Sequence, residues 1–467
     1  MATISSTGIG SGLDVESLVT KLMAVEQQPV TQLKSAASVI QTKISAFGAL
    51  QSAVSTFRDA ALKLTQATTW GVTSATSADP ASVKVATADG AVAGNYAVRV
   101  DSLATSQSVV SKTYGSSTDL VGEGTLHVEI GSLGQAGFAP QPNLAAMNIS
   151  ISPTDTLATV REKINAAGAG VSAVIVNDAT GARLIISSTK PGASNAFRIT
   201  ADGDAGLADL TYDPDQASAM TQSQAPLDAK LNINGVDITS PSNTLTNTLN
   251  GMTISLLQPT TAAVQVSVQQ DTTTVKTSIQ GFVDAYNSLA TLLAADTKYD
   301  ASTKTAGTLQ GDSTAVSMQR QLRNLLGNAS SASSVFATVN SIGLTTQSNG
   351  TIKVDDSKLT ASLSNLAEVK KMFSTINTAD NAQAGIAQRL RAFGDAVLGS
   401  DGALTTRTTG LNTSLTSNQK RQDELNARLT LTEARLRAQY TSLDTSMSKL
   451  TALNTYITNQ VAQWNKA

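Results

Sequence analysis

The N-terminal part of the chain repeats its apolar residues every three to four positions. From Thr31 onward the steps alternate between three and four, with one slip in phase at Leu50. This spacing predicts an amphipathic helix with a coiled-coil seam, which begins after Pro29 and ends near Trp70-Gly71. The predicted seam positions are Leu33, Ala37, Ile40, Ile44, Phe47, Leu50, Val54, Phe57, Ala61 and Leu64.

The C-terminal segment 411–467 has a second stripe of this kind and contains neither glycine nor proline. A helix over this segment is roughly 85 Å long at 1.5 Å per residue. Because a helix with one apolar stripe needs a partner, we expect it to pair with the N-terminal helix. Polar residues interrupt the stripe at Asn418, Gln422 and Thr432. Its apolar positions are Leu411, Leu415, Leu425, Leu429, Leu436, Tyr440, Leu443, Met447, Leu450, Ile457, Val461 and Trp464.

Between these ends the hydrophobic period changes to two, which predicts half-buried strands. Asn234-Gly235 separates two of the strands and predicts a hairpin turn. Leu157, Val160 and Ile164 share one face of a short predicted helix, with Gly168 beyond its end. The alternating segments are 83–85, 96–100, 126–130, 171–176, 183–187, 231–233, 236–238, 252–256 and 264–268.

The helical period returns at about residue 272. Val275, Ile279, Phe282, Tyr286 and Leu289 follow steps of four and three. Shorter helices are predicted at 313–327, 357–374 and 383–398, with a β-like segment at 351–354. This order predicts an α+β multidomain fold, in which a coiled-coil helical stalk formed by the N- and C-terminal segments carries inserted β-rich head domains. The predicted parts are a flexible N-terminal leader or export segment at 1–30, a helical coiled-coil leg or stalk at 31–75 plus 272–467, a β-rich head domain at 76–120 plus 226–271, and a second, inserted β-rich head domain at 121–225.

Charge and composition narrow the classes of function. The 467 residues include 15% charged and 4% aromatic side chains, and the net charge is −2. Residues 1–70 carry five basic and four acidic side chains, and residues 407–467 carry eight and four, so the acidic excess lies between them. No segment has the dense basic footprint of a nucleic-acid-binding protein, and no apolar run is long enough to insert into a membrane.

The chain contains no cysteine. This suits a protein that meets both reducing and oxidising surroundings, although chance loss of cysteine explains it equally well. The first twelve residues are small and polar, which is unlike a secretory signal peptide. A secreted protein of this kind would need a dedicated export machine.

A search for catalytic chemistry gives little. His127 is the single histidine and lies in an alternating strand, so we expect a surface strand residue. Gly8, Gly10 and Gly12 lack the preceding strand of a phosphate-binding loop. The pairs at 202/204 and 213/215 lack the ligand set of a calcium loop, and the pair at 355/356 is predicted to cap a helix. We therefore expect no catalytic residue, cofactor or metal site.

Seven motifs occur in an order that resembles one known family. Gly10-Ser-Gly-Leu-Asp14, followed by Leu22 and Pro29, is similar to the N-terminal signature of the flagellar filament cap proteins, also called hook-associated protein 2. Phe282-Val-Asp-Ala-Tyr286-Asn287 is similar to a second family signature. The remaining similar stretches are 94–107, 160–173, 233–253, 309–313 and 342–350.

The resemblance implies a non-enzymatic assembly factor. Members of the family form a homo-oligomeric ring, usually pictured as a pentamer, at the distal tip of the extracellular filament, where they promote the insertion and polymerisation of exported flagellin. The resemblance further implies secretion through the flagellar type III export apparatus and an export chaperone that binds the C-terminal helices. The residues expected to serve assembly are Gly10, Ser11, Gly12, Leu13, Asp14, Leu22, Pro29, Phe282, Tyr286 and Asn287, together with the seam residues Ile40, Ile44, Phe47, Val54, Phe57, Leu425, Leu429, Leu436, Leu443, Leu450 and Ile457.

Three other functions are open at this point. The β head could make the protein a surface adhesin that binds host mucin or glycans. A flagellin or hook–filament junction protein also has helical ends, but the signatures at 10–14 and 282–287 favour a cap. A peptidoglycan-cutting enzyme would need a pair of carboxylates in a cleft, which the sequence does not indicate.

Overall fold

The computed structural model describes residues 14–134, 136–142 and 144–465. The chain divides into two compact units. The first, here called the helical unit, consists of Met1–Trp70 and Thr273–Ala467. The second, the β unit, consists of Gly71–Thr272. Each unit has its own buried apolar core.

The helices lie mostly in the helical unit. In chain order they are α1 (Val15–Glu26), α2 (Gln28–Thr65), α3 (Ala67–Trp70), α4 (Leu157–Ala167), α5 (Ala205–Ala208), α6 (Thr272–Thr297), α7 (Ser313–Gly327), α8 (Asp356–Leu363), α9 (Leu366–Ser374), α10 (Ile386–Leu398) and α11 (Ala403–Trp464).

The strands lie mostly in the β unit. In chain order they are β1 (Thr73–Ser77), β2 (Val83–Thr87), β3 (Gly94–Ser102), β4 (Ser108–Val110), β5 (Gly124–Gly134), β6 (Gly137–Pro140), β7 (Met147–Ile151), β8 (Val171–Asp178), β9 (Gly181–Ser188), β10 (Ala196–Gly203), β11 (Thr221–Gln224), β12 (Ala229–Ile233), β13 (Val236–Ser240), β14 (Thr244–Leu249), β15 (Met252–Leu256), β16 (Val264–Gln270), β17 (Tyr299–Asp300), β18 (Thr305–Ala306), β19 (Leu344–Thr346) and β20 (Ile352–Val354).

An aromatic cluster forms the centre of the helical unit. The ring of Phe57 on α2 lies 5.7 Å from that of Phe282 and 6.0 Å from that of Tyr286, both on α6. Trp70 stacks on Phe373 of α9 at 5.8 Å. These side chains are buried, and burial of each large apolar side chain contributes about 1.5–3 kcal/mol. The second half of α2 is therefore the core of a helical bundle with α6, α9 and α10.

The β unit contains two apolar clusters. The first lies between the sheet β1-β16-β3-β12-β13 and the sheet β14-β15-β2. The second, here called the inserted cluster, is formed by residues 109–220 and lies among the sheet β10-β5-β6 with β7, the sheet β11-β4-β9-β8, and α4. Gln107 is buried where the chain enters the inserted cluster, and its side-chain oxygen accepts a 2.6 Å hydrogen bond from the Phe197 backbone N–H.

The period-two segments all form strands, and their hairpin is confirmed. Asn234 and Gly235 both have positive φ angles, 50° and 88°, as a type I′ turn between β12 and β13 requires. The prediction missed strands without apolar alternation, such as β1 and β11. It also missed β7 and β10, although apolar residues alternate in both. Val109 and Tyr114, placed in the first head by sequence, pack in the inserted cluster because β4 pairs with β9 and β11.

The helix predictions hold with four main differences. The helix predicted to end near Trp70 ends at Thr65, where the extended backbone of Gln66 separates α2 from α3. The segment 357–374 forms two helices, α8 and α9, instead of one. The long C-terminal helix begins at Ala403, before the predicted start, and it includes Gly410. No neighbouring atom lies within 4 Å of the place where a Gly410 side chain would begin, so the helix loses no packing there. Within the stretch predicted as a flexible leader at 1–30, residues 15–26 form α1, because Val15, Val19 and Met23 provide a buried face.

Candidate functional site

The long helix α11 pairs with α2 in an antiparallel arrangement. Leu33 near the start of α2 lies by Leu425, whereas Ile40 lies by Asn418, nearer to the start of α11. Two polar residues, Asn418 and Gln422, are buried in this pairing. The Gln422 Nε2 donates a 2.7 Å hydrogen bond to the Asn418 Oδ1. The predicted polar interruption of the stripe is therefore a buried layer, which lowers the stability of a helix pair and fixes its register.

Helix α1 extends this pairing toward the C-terminal end of α11. Val15, Val19 and Met23 are buried against a surface formed by the partly buried residues Leu429, Leu436 and Tyr440. Beside this small cluster, Arg437 donates hydrogen bonds of 2.5 and 2.8 Å to the two carboxylate oxygens of Glu16. The hydrogen bond with Arg437 lowers the pKa of Glu16, and the same contact raises the pKa of Arg437.

Beyond residue 440, no other described residue buries the apolar stripe of α11. Its members follow steps of four, three, seven, four and three, as in a heptad repeat. Leu450 is 59% exposed and Trp464 is 72% exposed. A stripe of this spacing on an exposed helix face indicates a surface for another protein chain. The exposed members are Leu443, Met447, Leu450, Ile457, Val461 and Trp464.

The other predicted seam residues have different environments. Phe47, Val54 and Phe57 are fully buried in the core of the helical unit, and Ile40 and Ile44 pack against its edge. Leu425, Leu429 and Leu436 are partly buried along α2 and α1. Leu443, Leu450 and Ile457 are exposed, so their role in a coiled coil stays a prediction.

The signature around residue 282 serves the core of the helical unit. Phe282 and Tyr286 are fully buried. The Tyr286 hydroxyl donates a 3.1 Å hydrogen bond to the Gly350 carbonyl, and burial raises the pKa of that hydroxyl to about 12. Asn287 binds the backbone of Ile352. These contacts hold the β19–β20 hairpin against α6.

The N-terminal signature is described only in part, since Gly10, Ser11, Gly12 and Leu13 lie outside the described residues. Asp14 caps α1 by accepting a 2.9 Å hydrogen bond from the Ser17 N–H. Leu22 is exposed on α1. Pro29 lies in the first turn of α2. Because proline has no backbone N–H, it cannot continue the hydrogen bonds of α1, and the two helices are separated at Gln27.

His127 is held between two neighbouring strands. Its Nδ1 lies 2.6 Å from Asn148 Oδ1, and its Nε2 lies 3.1 Å from Asp202 Oδ2. The hydrogen bond with Asn148, followed by the contacts with Asp202, raises the pKa of the imidazole. Among the residues that the structure describes, no cluster of metal-ligating side chains lies beside the histidine.

The paired acids have structural roles. Asp355 caps α8 through the Lys358 N–H, which confirms the predicted cap. Asp204 caps α5, and Asp215 accepts a hydrogen bond from the Phe138 N–H. In the described ranges, no three His, Cys, Asp or Glu side chains are grouped closely enough to bind a metal ion. None of the helices described there combines the length and the apolar character needed to cross a membrane.

Two structural features were not predicted from the sequence. The buried face of α1 was detectable, because residues 15, 19 and 23 are spaced by four, but the small polar residues before them suggested a leader. The buried Arg389 on α10 had no sequence signal, since its burial depends on the packing of α7 and the loop that follows it.

Comparison with known families covers both units. Residues 11–107 match the family model of the flagellar hook-associated protein 2 N-terminus, and residues 227–452 match that of its C-terminus. Residues 138–190 match the flagellin hook IN motif.

Comparison with individual proteins gives the same result. The flagellar hook-associated protein 2 of Escherichia coli is 33% identical over 476 residues, which is 98% of each chain. That of Salmonella typhimurium is 33% identical over 479 residues, which is 100% of each chain. The crystal structure of the D1-D2-D3 domains of the flagellar cap protein FliD from Escherichia coli superposes with a TM-score of 0.64 and 32% identity, covering 79% of this chain and 99% of that one.

Proposed function

The chain belongs to the flagellar hook-associated protein 2 family, and from that premise we propose that it caps the flagellar filament. In this proposal several copies, five in the arrangement pictured for the family, form a ring at the distal tip outside the cell. The ring promotes the insertion and polymerisation of exported flagellin. The two parts of the β unit form the head, and the helical unit, with its predicted coiled-coil segments, forms the leg.

The observation that carries the proposal is the exposed stripe on α11 between Leu443 and Trp464. Its residues continue the heptad spacing of the paired part of the helix, yet no described residue buries them. An apolar stripe about 33 Å long, for 22 residues, is suited to binding helices of neighbouring subunits. In a cap, those neighbours would be flagellin or adjacent copies of this chain.

The remaining parts of the proposal concern export and chemistry. We propose that the chain leaves the cell through the type III export apparatus, and that an export chaperone covers the same stripe before export. The absence of cysteine suits this route, because disulfide crosslinks would obstruct a chain that passes unfolded through a channel, and chance loss explains it equally well. No catalytic step is included, since the partners of His127 are an asparagine and a single aspartate. No structural observation favours the adhesin alternative.

The test is a strain from which the gene is deleted. We expect abundant monomeric flagellin in the medium and cells without filaments, and we expect the full chain to restore filaments. Filaments of normal length in the deletion strain would refute the cap function.

Two full-length double variants test the stripe. Leu450→Asp with Ile457→Asp places charges on the stripe and should fail to restore filaments. Ala452→Asp with Asn459→Asp adds the same charges about half a turn away, at exposed positions, and should restore them. Equal restoration by both variants would show that the stripe is not the assembly surface.

A further inference from the structure

Three asparagines of this chain are followed directly by a glycine, and each pair lies in the turn between two strands. They are Asn234 between β12 and β13, Asn250 between β14 and β15, and Asn349 between β19 and β20. In such a pair the backbone nitrogen of the glycine can attack the side-chain carbonyl carbon of the asparagine, because glycine has no side chain that shields the nitrogen. The hydrogen bonds of these two groups decide which pair reacts, since each bond must break before the attack.

The pair Asn234-Gly235 is held at both reacting groups. The Asn234 Oδ1 accepts a 2.8 Å hydrogen bond from the Ala97 N–H of β3, which fixes the side-chain carbonyl. The Gly235 N–H donates a 2.8 Å hydrogen bond to the Asn232 Oδ1, which occupies the nucleophile. Attack at this turn requires both hydrogen bonds to break.

The pair Asn349-Gly350 is held in the same way. The Asn349 Oδ1 accepts hydrogen bonds from the N–H and the hydroxyl of Thr351, at 3.0 and 2.8 Å. The Gly350 N–H donates to the Gln347 carbonyl at 2.9 Å, and Gly350 is buried. The water and base that the reaction needs therefore have little access to this pair.

The pair Asn250-Gly251 has neither restraint. Asn250 is exposed, and its side-chain amide has no hydrogen-bond partner among the residues that the structure describes. The Gly251 N–H has no acceptor in that part of the chain either. Both reacting groups are thus free to approach each other without the loss of a hydrogen bond, which distinguishes this turn from the other two.

We propose that Asn250 is a site of spontaneous deamidation in the folded chain, whereas Asn234 and Asn349 are protected by their hydrogen bonds. The Gly251 nitrogen loses its proton to hydroxide and bonds to the Asn250 Cγ, the bond from Cγ to Nδ2 breaks, and Nδ2 takes up a proton and leaves as ammonia. Water then opens the resulting five-membered imide at either carbonyl carbon and gives aspartate or isoaspartate. No oxidant or reductant takes part, and the inference does not depend on the proposed function.

The product changes the turn in charge and in length. A carboxylate replaces a neutral amide, and isoaspartate adds one carbon to the main chain. The Gly251 backbone lies close against the segment 88–91, because its carbonyl accepts a 2.7 Å hydrogen bond from the Ala88 N–H and a side chain at this glycine would collide with the Ala91 nitrogen. A longer main chain at residue 250 displaces this contact, so deamidation should loosen the pairing of β2 with β15.

Peptide mapping by mass spectrometry measures the reaction at the three sites together. The purified full chain is incubated in mildly alkaline buffer, folded in one sample and unfolded in guanidinium chloride in another. In the folded chain Asn250 should deamidate at least tenfold faster than Asn234 or Asn349. In the unfolded chain the three rates should agree within about threefold, because each asparagine then precedes an unrestrained glycine. A smaller difference in the folded chain, or an equal preference for Asn250 in the unfolded one, would overturn the proposal.

A pair of variants tests the protection of the first turn. Asn232→Ala removes the acceptor of the Gly235 N–H, so deamidation of Asn234 should become at least threefold faster. Asn247→Ala, at an exposed position of β14, should leave the rates at all three sites unchanged. An unchanged rate at Asn234 in the first variant would contradict protection by hydrogen bonds, on which the proposal rests.

Amide exchange tests the structural consequence. Exchange over residues 83–91 should become at least fivefold faster in the aged full chain than in the fresh one. Asn250→Gln changes an exposed turn residue and closes a six-membered ring more slowly, so its exchange should stay at the fresh rate after the same ageing. An equal rise in both chains would show that the loosening does not originate at residue 250.

Discussion

The side-chain amide of Asn287 forms two hydrogen bonds with the backbone of Ile352. Its Nδ2 donates to the Ile352 carbonyl at 2.9 Å, and its Oδ1 accepts from the Ile352 N–H at 2.6 Å. The amide thus pairs with β20 as a neighbouring strand would, and it joins α6 to a hairpin 65 residues further along the chain. A signature residue that suggested an assembly contact is in this way explained by the folding of the helical unit.

Asn287→Leu should destabilise the helical unit by about 2–4 kcal/mol, because the N–H and carbonyl of the buried Ile352 lose their partner together. Urea unfolding measures this through the fluorescence of the buried Trp70, in a Trp464→Phe background that leaves one tryptophan. Ser288→Ala on the exposed side of α6 should stay within about 0.5 kcal/mol of the parent. If Asn287→Leu also changed the unfolding free energy by no more than about 0.5 kcal/mol, the hydrogen bonds between Asn287 and Ile352 would contribute little to stability.

The lowered pKa of Glu368 predicts that the helical unit loses stability in acid. Hydrogen bonds from Lys371, from the Ser333 hydroxyl and from the Ser334 backbone lower the pKa of this carboxyl from 4.5 to about 2. Since the folded pKa is depressed, the contribution is complete above pH 4.5 and is lost as the pH falls toward 2. Glu368→Gln should lower the thermal midpoint at pH 7, and its difference from the parent should shrink between pH 5 and pH 2.

A matched variant separates this effect from general acid denaturation. Glu424→Gln removes an exposed carboxyl of α11, so its midpoint should follow the parent over the whole pH range. If the difference between Glu368→Gln and the parent stayed constant from pH 7 to pH 2, the carboxylate would not be the source of the acid sensitivity.

Hydrophobic spacing was enough to predict the fold class, because both periods depend on which side chains leave water. The step pattern of α6, from Val275 to Leu293, and the alternation of β15 are buried as expected. Strand β1, with the sequence Thr-Ser-Ala-Thr-Ser, was missed because its order comes from pairing with β16 and not from its own side chains.

The candidate site was predictable only where one helix determines it. The stripe from Leu443 to Trp464 follows from spacing alone, and so does the polar layer at Asn418. The burial of Arg389 on α10 does not follow from spacing, since a buried arginine inside an amphipathic helix resembles a solvated one in sequence. Asn287 and Gln107 were recognised by resemblance, but the backbones that they bind, 65 and 90 residues away, are set by tertiary packing.

The attachment of α1 to α11 should be separable from the fold of the helical unit. Val19 is 1% exposed, in a cluster of three buried residues, so Val19→Asp places an unpaired charge in it. Amide exchange over residues 15–26 should become at least tenfold faster, while the Trp70 unfolding transition stays unchanged. Thr20→Asp, at an exposed position of α1, should leave exchange near the parent rate. Protection of 15–26 in Val19→Asp would mean that other contacts hold α1.

Arg437→Ala tests the ion pair in the same segment. The pair with Glu16 is exposed, and exposed pairs contribute about 0–1 kcal/mol. The variant should therefore accelerate exchange in α1 less than fivefold, well below the effect of Val19→Asp. A larger effect would assign the attachment to charge and not to the apolar cluster.

The buried pair Asn418 and Gln422 should show opposite effects for single and double replacement. Either single change to Leu leaves the other amide buried without its partner and should cost about 1 kcal/mol in the unfolding free energy. The double change buries two leucines against α2 and should stabilise the unit by about 1–3 kcal/mol. Urea unfolding of the three variants measures this coupling, and additive effects would contradict a mutual hydrogen bond.

Filament growth then connects this layer with the proposed cap. We propose that the pairing of α2 with α11 opens and closes again as flagellin is inserted, since a polar layer keeps a helix pair weak enough to separate. The double Leu variant, although more stable, should therefore produce shorter filaments than the parent in the complemented deletion strain. Asn426→Leu adds an apolar residue at an exposed position of α11 and serves as the control, with filaments of parental length expected. Normal filaments from a measurably stabilised double variant would show that the pairing of α2 with α11 does not separate during growth.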